Sequence, residues 1–208
     1  MIKQWMTAVI VVAVLSSCAG TATMVDDIYS VSEKGESPFD GTKWISVKNI
    51  WCDPITFDLY QESNMAQENL ILLDLNIGGA HLIKSGESLH LNINGKIHNL
   101  KTVDRVNSIE TKPGIYSFGR DLNVYIPAYN VTSRRYLISV NLLDSMIDSN
   151  HFVMRIDLEK DFIDAVCSSG TNAASTTYGL SRFRSMLQTL TGNVDVIPGS
   201  DAAAESAE

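Results

Sequence analysis

The run LHLNINGKIHNL at residues 89–100 decides how we interpret the fold. Its first half alternates apolar and polar side chains, as a β-strand with one face in a core does. The dipeptide Asn94-Gly95 follows and favours the two-residue turn of a β-hairpin. Residues 96–100 then predict the returning strand, in a register that the alternation leaves open by one residue. The run indicates an antiparallel sheet.

The same alternation recurs on both sides of this hairpin. Polar side chains between successive apolar ones are typical of sheets with one solvated face, which are mostly antiparallel. The pattern predicts further strands at residues 45–50, 55–60, 73–77, 122–126 and 152–158. We therefore expect a mainly β protein, either an antiparallel β-sandwich or a barrel-like variant of it.

Two segments change to the helical period. Apolar residues share one helical face at residues 141–147, which predicts a short internal helix. Near the end of the chain, Ser181 can cap a C-terminal amphipathic helix that Gly192 would stop. We expect both helices to seal an open edge or end of the sandwich. Between the strand at 122–126 and the internal helix, residues 130–133 predict a turn, and Arg134-Arg135 a solvated strand start.

The N-terminus carries Lys3 and then an apolar run at residues 8–15. This run is about half of the ~20 residues that a membrane-spanning helix needs, and its length suits a secretory signal. The run leads directly into Leu15-Ser16-Ser17-Cys18. The alternatives from length alone are an ordinary signal peptide followed by a coincidental cysteine, and an uncleaved anchor.

The order Leu15-Ser16-Ser17-Cys18 resembles the lipobox of bacterial lipoproteins. The resemblance implies that the signal is cleaved before Cys18 and that Cys18 is the lipid-attachment residue. Several acyl chains hold a protein stably on a membrane. Ala19 stands where an aspartate often retains such proteins in the inner membrane, so the resemblance implies the outer membrane, facing the periplasm, if the host is diderm.

The remaining chain divides simply. We expect a cleaved signal peptide at 1–17 and a lipidated N-terminus with a flexible tether at 18–40. A single β-rich domain follows at 41–194, and a disordered acidic tail at 195–208. The net charge of −8 argues against nucleic acid as a partner and against electrostatic adhesion to anionic lipid.

Two cysteines remain once Cys18 is assigned to lipid. Export would place Cys52 and Cys167 in a compartment that permits disulfides. Pairing would close a loop of about 115 residues and stabilise the fold by about 5 kcal/mol in the loop-entropy model. The alternative is two separately buried thiols.

Trp44 and Trp51 are the candidate partner contacts. They flank the first strand and are an odd number of residues apart, so strict alternation sends them to opposite faces of a sheet. One would then lie in the core, and the other would be an exposed aromatic anchor. The alternative is that both lie in the core, with a bend between them.

The sequence contains no recognisable catalytic, metal or cofactor motif. None of the histidines, His81, His90, His98 and His151, has the spacing of a zinc site. His90 and His98 would face each other across the hairpin only if the register allowed it. A Gly-x-Ser-x-Gly nucleophile motif is missing, and the carboxylates at 157, 159, 161 and 164 have the pattern of exposed strand and turn charges. We predict no enzymatic activity, no metal and no cofactor.

Part of the domain resembles a known family. Trp51-Cys52, the block from Leu142 through Ala165, and the later spacing of Gly179-Leu180 with Leu187 and Leu190 are similar to the small periplasmic β-sandwich proteins associated with type VI secretion. The resemblance covers roughly the second half of the domain and implies a β-sandwich. The family's Asp-Leu-Ser lead-in and its late Cys-Gly-Trp are missing here, so the resemblance extends to the fold more readily than to the function.

These features favour a membrane-anchored envelope lipoprotein that acts as a non-catalytic protein-binding or structural module. The membrane, through the N-terminal lipid, and a protein of the envelope are the expected partners. An inhibitor or immunity-type protective lipoprotein is the alternative. A hydrolase whose site has no sequence signature is a third, and it would need a histidine beside a carboxylate in a deep polar pocket.

Overall fold

The computed structural model describes residues 30–112, 115–118, 122–125, 127–168 and 172–191. The described ranges form twelve strands and three helices. The strands are β1 (Val31–Glu36), β2 (Lys43–Cys52), β3 (Ile55–Glu62), β4 (Leu70–Gly78), β5 (Glu87–Ile93), β6 (Lys96–Lys101), β7 (Ser108–Lys112), β8 (Ile115–Phe118), β9 (Leu122–Tyr125), β10 (Tyr129–Ser139), β11 (Phe152–Asp157) and β12 (Phe162–Val166). The helices are α1 (Ser63–Gln67), α2 (Val140–Ile147) and α3 (Asn172–Thr191).

The strands form two main antiparallel sheets, which confirms the predicted fold class. One sheet has six strands in the order β1-β2-β3-β4-β10-β7, and the other has four in the order β12-β11-β5-β6. Strands β8 and β9 pair with each other. The apolar faces of both sheets and one face of α3 enclose a single core. The opposite face of each sheet is called its outer face below.

The hairpin at residues 89–100 forms as predicted. Leu89 pairs with Leu100 and Ile93 with Lys96, and this settles the register that the sequence left open. Both turn residues have positive φ, 50° at Asn94 and 86° at Gly95, as the tight turn of a two-residue hairpin requires.

A disulfide joins the two sheets. Cys52 at the end of β2 is bonded to Cys167, just after β12, with 4.4 Å between their Cα atoms. Both side chains are buried, and Asp53 forms a β-bridge to Val166 beside them. The predicted pairing is confirmed, and it closes a loop of 115 residues.

Helix α3 starts well before the predicted cap. Ser181 lies inside the helix, which begins at Asn172. The helix includes Gly179, which is a packing position: a Cβ there would lie 2.9 Å from Cγ1 of Ile50. The helix extends across β2 because this glycine lets the two elements approach closely.

The expected tether at 18–40 is partly wrong, because β1 lies inside it. Val31 through Glu36 pair with β2 from Lys48 to Lys43, so residues 31–36 belong to the folded domain. β1 is an edge strand with mostly polar side chains, and such a strand gives no apolar alternation.

Two smaller differences concern β10 and α1. Residues 130–133 form no turn, since β10 runs unbroken from Tyr129 to Ser139, and Arg134 is buried on its inner side. Helix α1 was not predicted because it is five residues long and none of them is buried, so its sequence shows no apolar face at the helical period. The predicted internal helix is present as α2. Cys18, the signal peptide at 1–17 and the tail at 195–208 lie outside the described residues.

Candidate functional site

A β-bulge in β2 places both strand tryptophans on the outer face of the six-stranded sheet. The pairing with β3 shifts between Val47 and Ile50, so one residue is added to the alternation. Asn49 in the bulge has φ of 58°, and its backbone N–H donates to Asp58 Oδ1 at 2.8 Å. The prediction that Trp44 and Trp51 lie on opposite faces is therefore wrong.

Trp51 is the exposed member of the pair. Its side chain is 43% accessible, and it lines a groove of about 490 Å³ together with Thr56, Asn76, Lys112 and Tyr129. Its backbone carbonyl accepts a hydrogen bond from the Thr176 hydroxyl of α3. The ring thus stands at the rim of a polar groove on a backbone that α3 holds in place.

Trp44 is less available for a partner. It is half-buried, its ring stacks on Tyr60 with centroids 6.1 Å apart, and it packs so closely over Gly35 that a Cβ there would lie 2.6 Å from the ring. Of the two candidate contacts, Trp51 has the geometry of an anchor, whereas Trp44 packs against its own sheet.

Asp58 lines this groove, and its cross-strand neighbour Asp74 lines the space that adjoins it. Asp58 on β3 pairs directly with Asp74 on β4, and like charges in such a position repel each other. Burial raises the pKa of both carboxyl groups. Arg135 offsets part of this for Asp74, with its Nε 3.3 Å from Oδ2, while Oδ1 of Asp74 is buried without a hydrogen-bond partner.

Asp58 has a structural role as well as its place in the groove. It accepts from the N–H of the bulge residue, and Asn76 and the positive charge of Lys112 also lower its pKa, although less than burial raises it. The carboxylate that lines the groove therefore also stabilises the bulge that carries Trp51. This link between site and bulge has no signature in the sequence.

A loop at residues 102–107 lines the other end of the groove. The groove continues there as a space of about 660 Å³ lined by Asp74, Asp104, Asn107 and Arg135. The loop is fixed from the inner side by Arg134, which is only 1% accessible. Its guanidinium donates to Asn107 Oδ1 at 3.2 Å and to Thr102 Oγ1 at 3.4 Å.

The outer face of the four-stranded sheet carries a second polar cluster over a shallow depression. His90 contacts Asn99 Oδ1 through Nδ1 at 2.8 Å and Asp157 Oδ2 through Nε2 at 3.5 Å. A histidine does lie beside a carboxylate here. Both ring nitrogens are already engaged, so neither can take a proton from a substrate without breaking a contact. His98 pairs with the buried Leu91 and lies on the other face, so the two histidines do not meet.

Arg155 and Asp164 complete this second cluster. Arg155 Nε and NH2 donate to the two carboxylate oxygens at 2.7 and 2.8 Å, and this bidentate contact lowers the pKa of Asp164. The guanidinium also lies 4.2 Å from the ring centroid of Phe162. The charged side chains of the cluster are thus paired with one another, and a ligand would have to break one of these pairs to bind them.

Within the described part of the chain, no three histidine, cysteine or acidic side chains come together as a metal site would require. No helix within it is long and apolar enough to cross a membrane.

Comparisons of the whole chain with protein-family models, with curated proteins and with solved structures gave no match.

Proposed function

We propose that this chain is a membrane-anchored lipoprotein of the bacterial cell envelope that binds a protein partner and has no catalytic role. Support for the anchor comes from the Leu15-Ser16-Ser17-Cys18 order, which resembles a lipobox. A tether of residues 19–29 would have a root-mean-square reach of about 18 Å and would keep the partner site close to the membrane surface. The outer membrane, facing the periplasm, is the proposed location in a diderm host.

The observation that carries the binding function is Trp51 at the rim of the groove. Exposed tryptophans beside partly desolvated polar groups are typical of the residues that dominate protein–protein affinity. Asp58 supplies an acceptor and Lys112 a donor in the groove beside Trp51, and Asp74 and Arg135 line the adjoining space.

A protective inhibitor or immunity-type role is the second candidate. It is favoured by the neighbouring carboxyl groups of Asp58 and Asp74 together with the net charge of −8, because both would complement a basic enzyme. This candidate uses the same surface and differs in the identity of the partner.

The test is co-purification from solubilised envelopes with wild-type protein and the variants Trp51→Ala and Phe162→Ala. Phe162 is a matched control, since it is an aromatic residue with 54% exposure on the other sheet. We expect wild type and Phe162→Ala to enrich the same protein and Trp51→Ala to lose it at least about tenfold, since anchor residues contribute 2 kcal/mol or more. Equal recovery with all three, or no enriched protein, would argue against the proposal.

The anchor is tested separately with Cys18→Ser. We expect this variant to move from the membrane fraction to the soluble envelope fraction while its domain stays folded. Unchanged membrane association would contradict lipid attachment at Cys18 without affecting the assignment of the binding surface.

A further inference from the structure

A groove outside the candidate site opens between β1 and the end of α3. It lies at the start of β2, at the opposite end of that strand from Trp51. Its volume is about 490 Å³, and its apolar lining includes Ile45, Met186 and Leu190. Met186 and Leu190 are only partly buried, although they pack against the core. Apolar surface therefore stays accessible to a ligand along this line.

The same line is an edge of the six-stranded sheet. Among the described strands, β1 is bonded to β2 alone, and its pairing from Val31 to Glu36 runs without a register shift. Every second N–H and C=O of a terminal strand points away from its neighbour. A regular strand of this kind can take up a further strand from another chain, which is a common way for proteins to bind extended segments.

Two lysines give the groove a positive rim on an acidic protein. Lys34 pairs with the buried Ile45, and directly opposite residues of an antiparallel pair share a face, so Lys34 lies on the groove side of β1. Lys43 on β2 lines the groove as well, with Glu36 as the acidic residue among the lining side chains. Neither lysine forms an ion pair with another described residue. The groove can therefore gain from a carboxylate that a ligand supplies.

The lysines also select the kind of strand that this edge can take. Pairing β1 with its own copy about the middle of the strand would bring the two copies of Lys34 close together, and like charges in such a position repel each other. A segment that carries a carboxylate gains an ion pair instead. Residues two apart in a strand share a face, so one segment can direct both an apolar side chain and a carboxylate into the groove.

We propose that β1 binds an extended segment of another protein as an added strand, with an apolar residue and, two positions along, an acidic residue on the face that meets the groove. The apolar side chain packs on Met186 and Leu190, and the carboxylate reaches Lys34 or Lys43. The six residues of β1 span about 20 Å, which is the length of a typical strand. This surface is a second partner site and does not depend on the role of Trp51.

The test is fluorescence anisotropy of a labelled peptide mixed with the purified full chain in detergent. In the probe peptide, valine, isoleucine and glutamate occupy alternate positions with threonine between them. The control peptide has the same composition, but its glutamate is moved by one position and so points away from the groove. We expect wild type to bind the probe at least about tenfold more tightly than the control peptide, because only the probe can place its carboxylate beside a lysine.

Two variants with the same change of charge test the rim. Lys34→Glu/Lys43→Glu should bind the probe about tenfold more weakly than wild type, since like charges then meet its glutamate. The matched control is Lys101→Glu/Lys160→Glu, in which both substituted residues are exposed and belong to the other sheet and its turn. This control should bind the probe as wild type does.

Hydrogen–deuterium exchange of the wild type locates the site without any variant. Saturating probe peptide should slow the exchange of amides in residues 31–36 about tenfold, as for a strand that gains a hydrogen-bonded neighbour. Four outcomes would overturn the proposal: no binding of the probe, equal affinity for the two peptides, equal affinity of the two variants, or protection of a different sheet edge.

Discussion

The outer face of each sheet carries a cross-strand pair of an arginine and an aspartate, and the two pairs differ in how the arginine contacts the carboxyl group. On the six-stranded sheet Arg135 reaches Asp74 through one nitrogen at 3.3 Å, and burial keeps the pKa of Asp74 raised. On the four-stranded sheet Arg155 holds both oxygens of Asp164, and its pKa is lowered. The difference shows that environment, and not residue type, decides which pair is available to a ligand.

The physical cause is the shape of the two faces. The bulge at Asn49 and the loop at 102–107 raise walls around Asp58 and Asp74, so these carboxyl groups are partly desolvated. Asp164 is exposed to solvent, and both of its oxygens pair with Arg155. A groove with incompletely satisfied acceptors can gain from a partner, whereas a closed ion pair must first be broken.

The largest expected effect comes from separating the two sheets. Replacing both Cys52 and Cys167 by serine should lower the free energy of unfolding by up to about 5 kcal/mol, because the disulfide no longer restricts the unfolded chain. Urea denaturation at neutral pH measures this loss. Reduction of the wild type should give the same shift, and an unchanged midpoint in both would show that the sheets are held together by packing alone.

A smaller loss of stability should distinguish the loop at 102–107 from the outer face of the four-stranded sheet. Replacing one asparagine in each place by alanine makes the comparison. Asn107→Ala removes an acceptor from the buried guanidinium of Arg134, and this should cost about 1–3 kcal/mol of unfolding free energy. Asn99→Ala removes the exposed contact to His90 and should cost less than about 0.5 kcal/mol. Thermal or urea unfolding of both variants is the measurement. Equal costs would mean that the loop at 102–107 is not fixed from within.

The smallest expected effect is a pH dependence of folding stability that has opposite signs for Asp58 and Asp164. Burial raises the pKa of Asp58, so the folded state favours the protonated form, and wild-type stability falls as pH rises through the raised value. Asp58→Asn keeps an oxygen acceptor for the Asn49 N–H and should therefore be the more stable protein at about pH 7. This advantage should disappear near pH 3, below the pKa of the unfolded chain.

Asp164→Asn should behave in the opposite way. The pKa of Asp164 is lowered by Arg155, so its contribution to stability is present above the unfolded value and is lost as pH falls through the lowered one. The variant should be less stable than wild type at about pH 7 and should approach it in acid. Urea midpoints at both pH values decide the matter. The same sign for both aspartates would remove the distinction between the two faces.

Much of the framework was predictable because it depends on local pattern. The Asn94-Gly95 turn, the alternating strands and the helix predicted at 141–147 follow from side-chain period and turn chemistry. Cys52 and Cys167 were the remaining even pair once Cys18 was assigned elsewhere. The edge strand β1 and the early start of α3 were missed because exposed polar strands and small-residue helix turns have no apolar period.

The site itself depended on contacts between distant residues. The sequence by itself determined that Trp51 stands directly beside a strand of an antiparallel sheet, since alternation is a local property of the chain. Only the tertiary structure decided which face Trp51 occupies, because the bulge at Asn49 adds one residue and reverses every later side chain. It also decided that Asp58 and Asp74 are partly buried, since desolvation depends on walls that other parts of the chain supply.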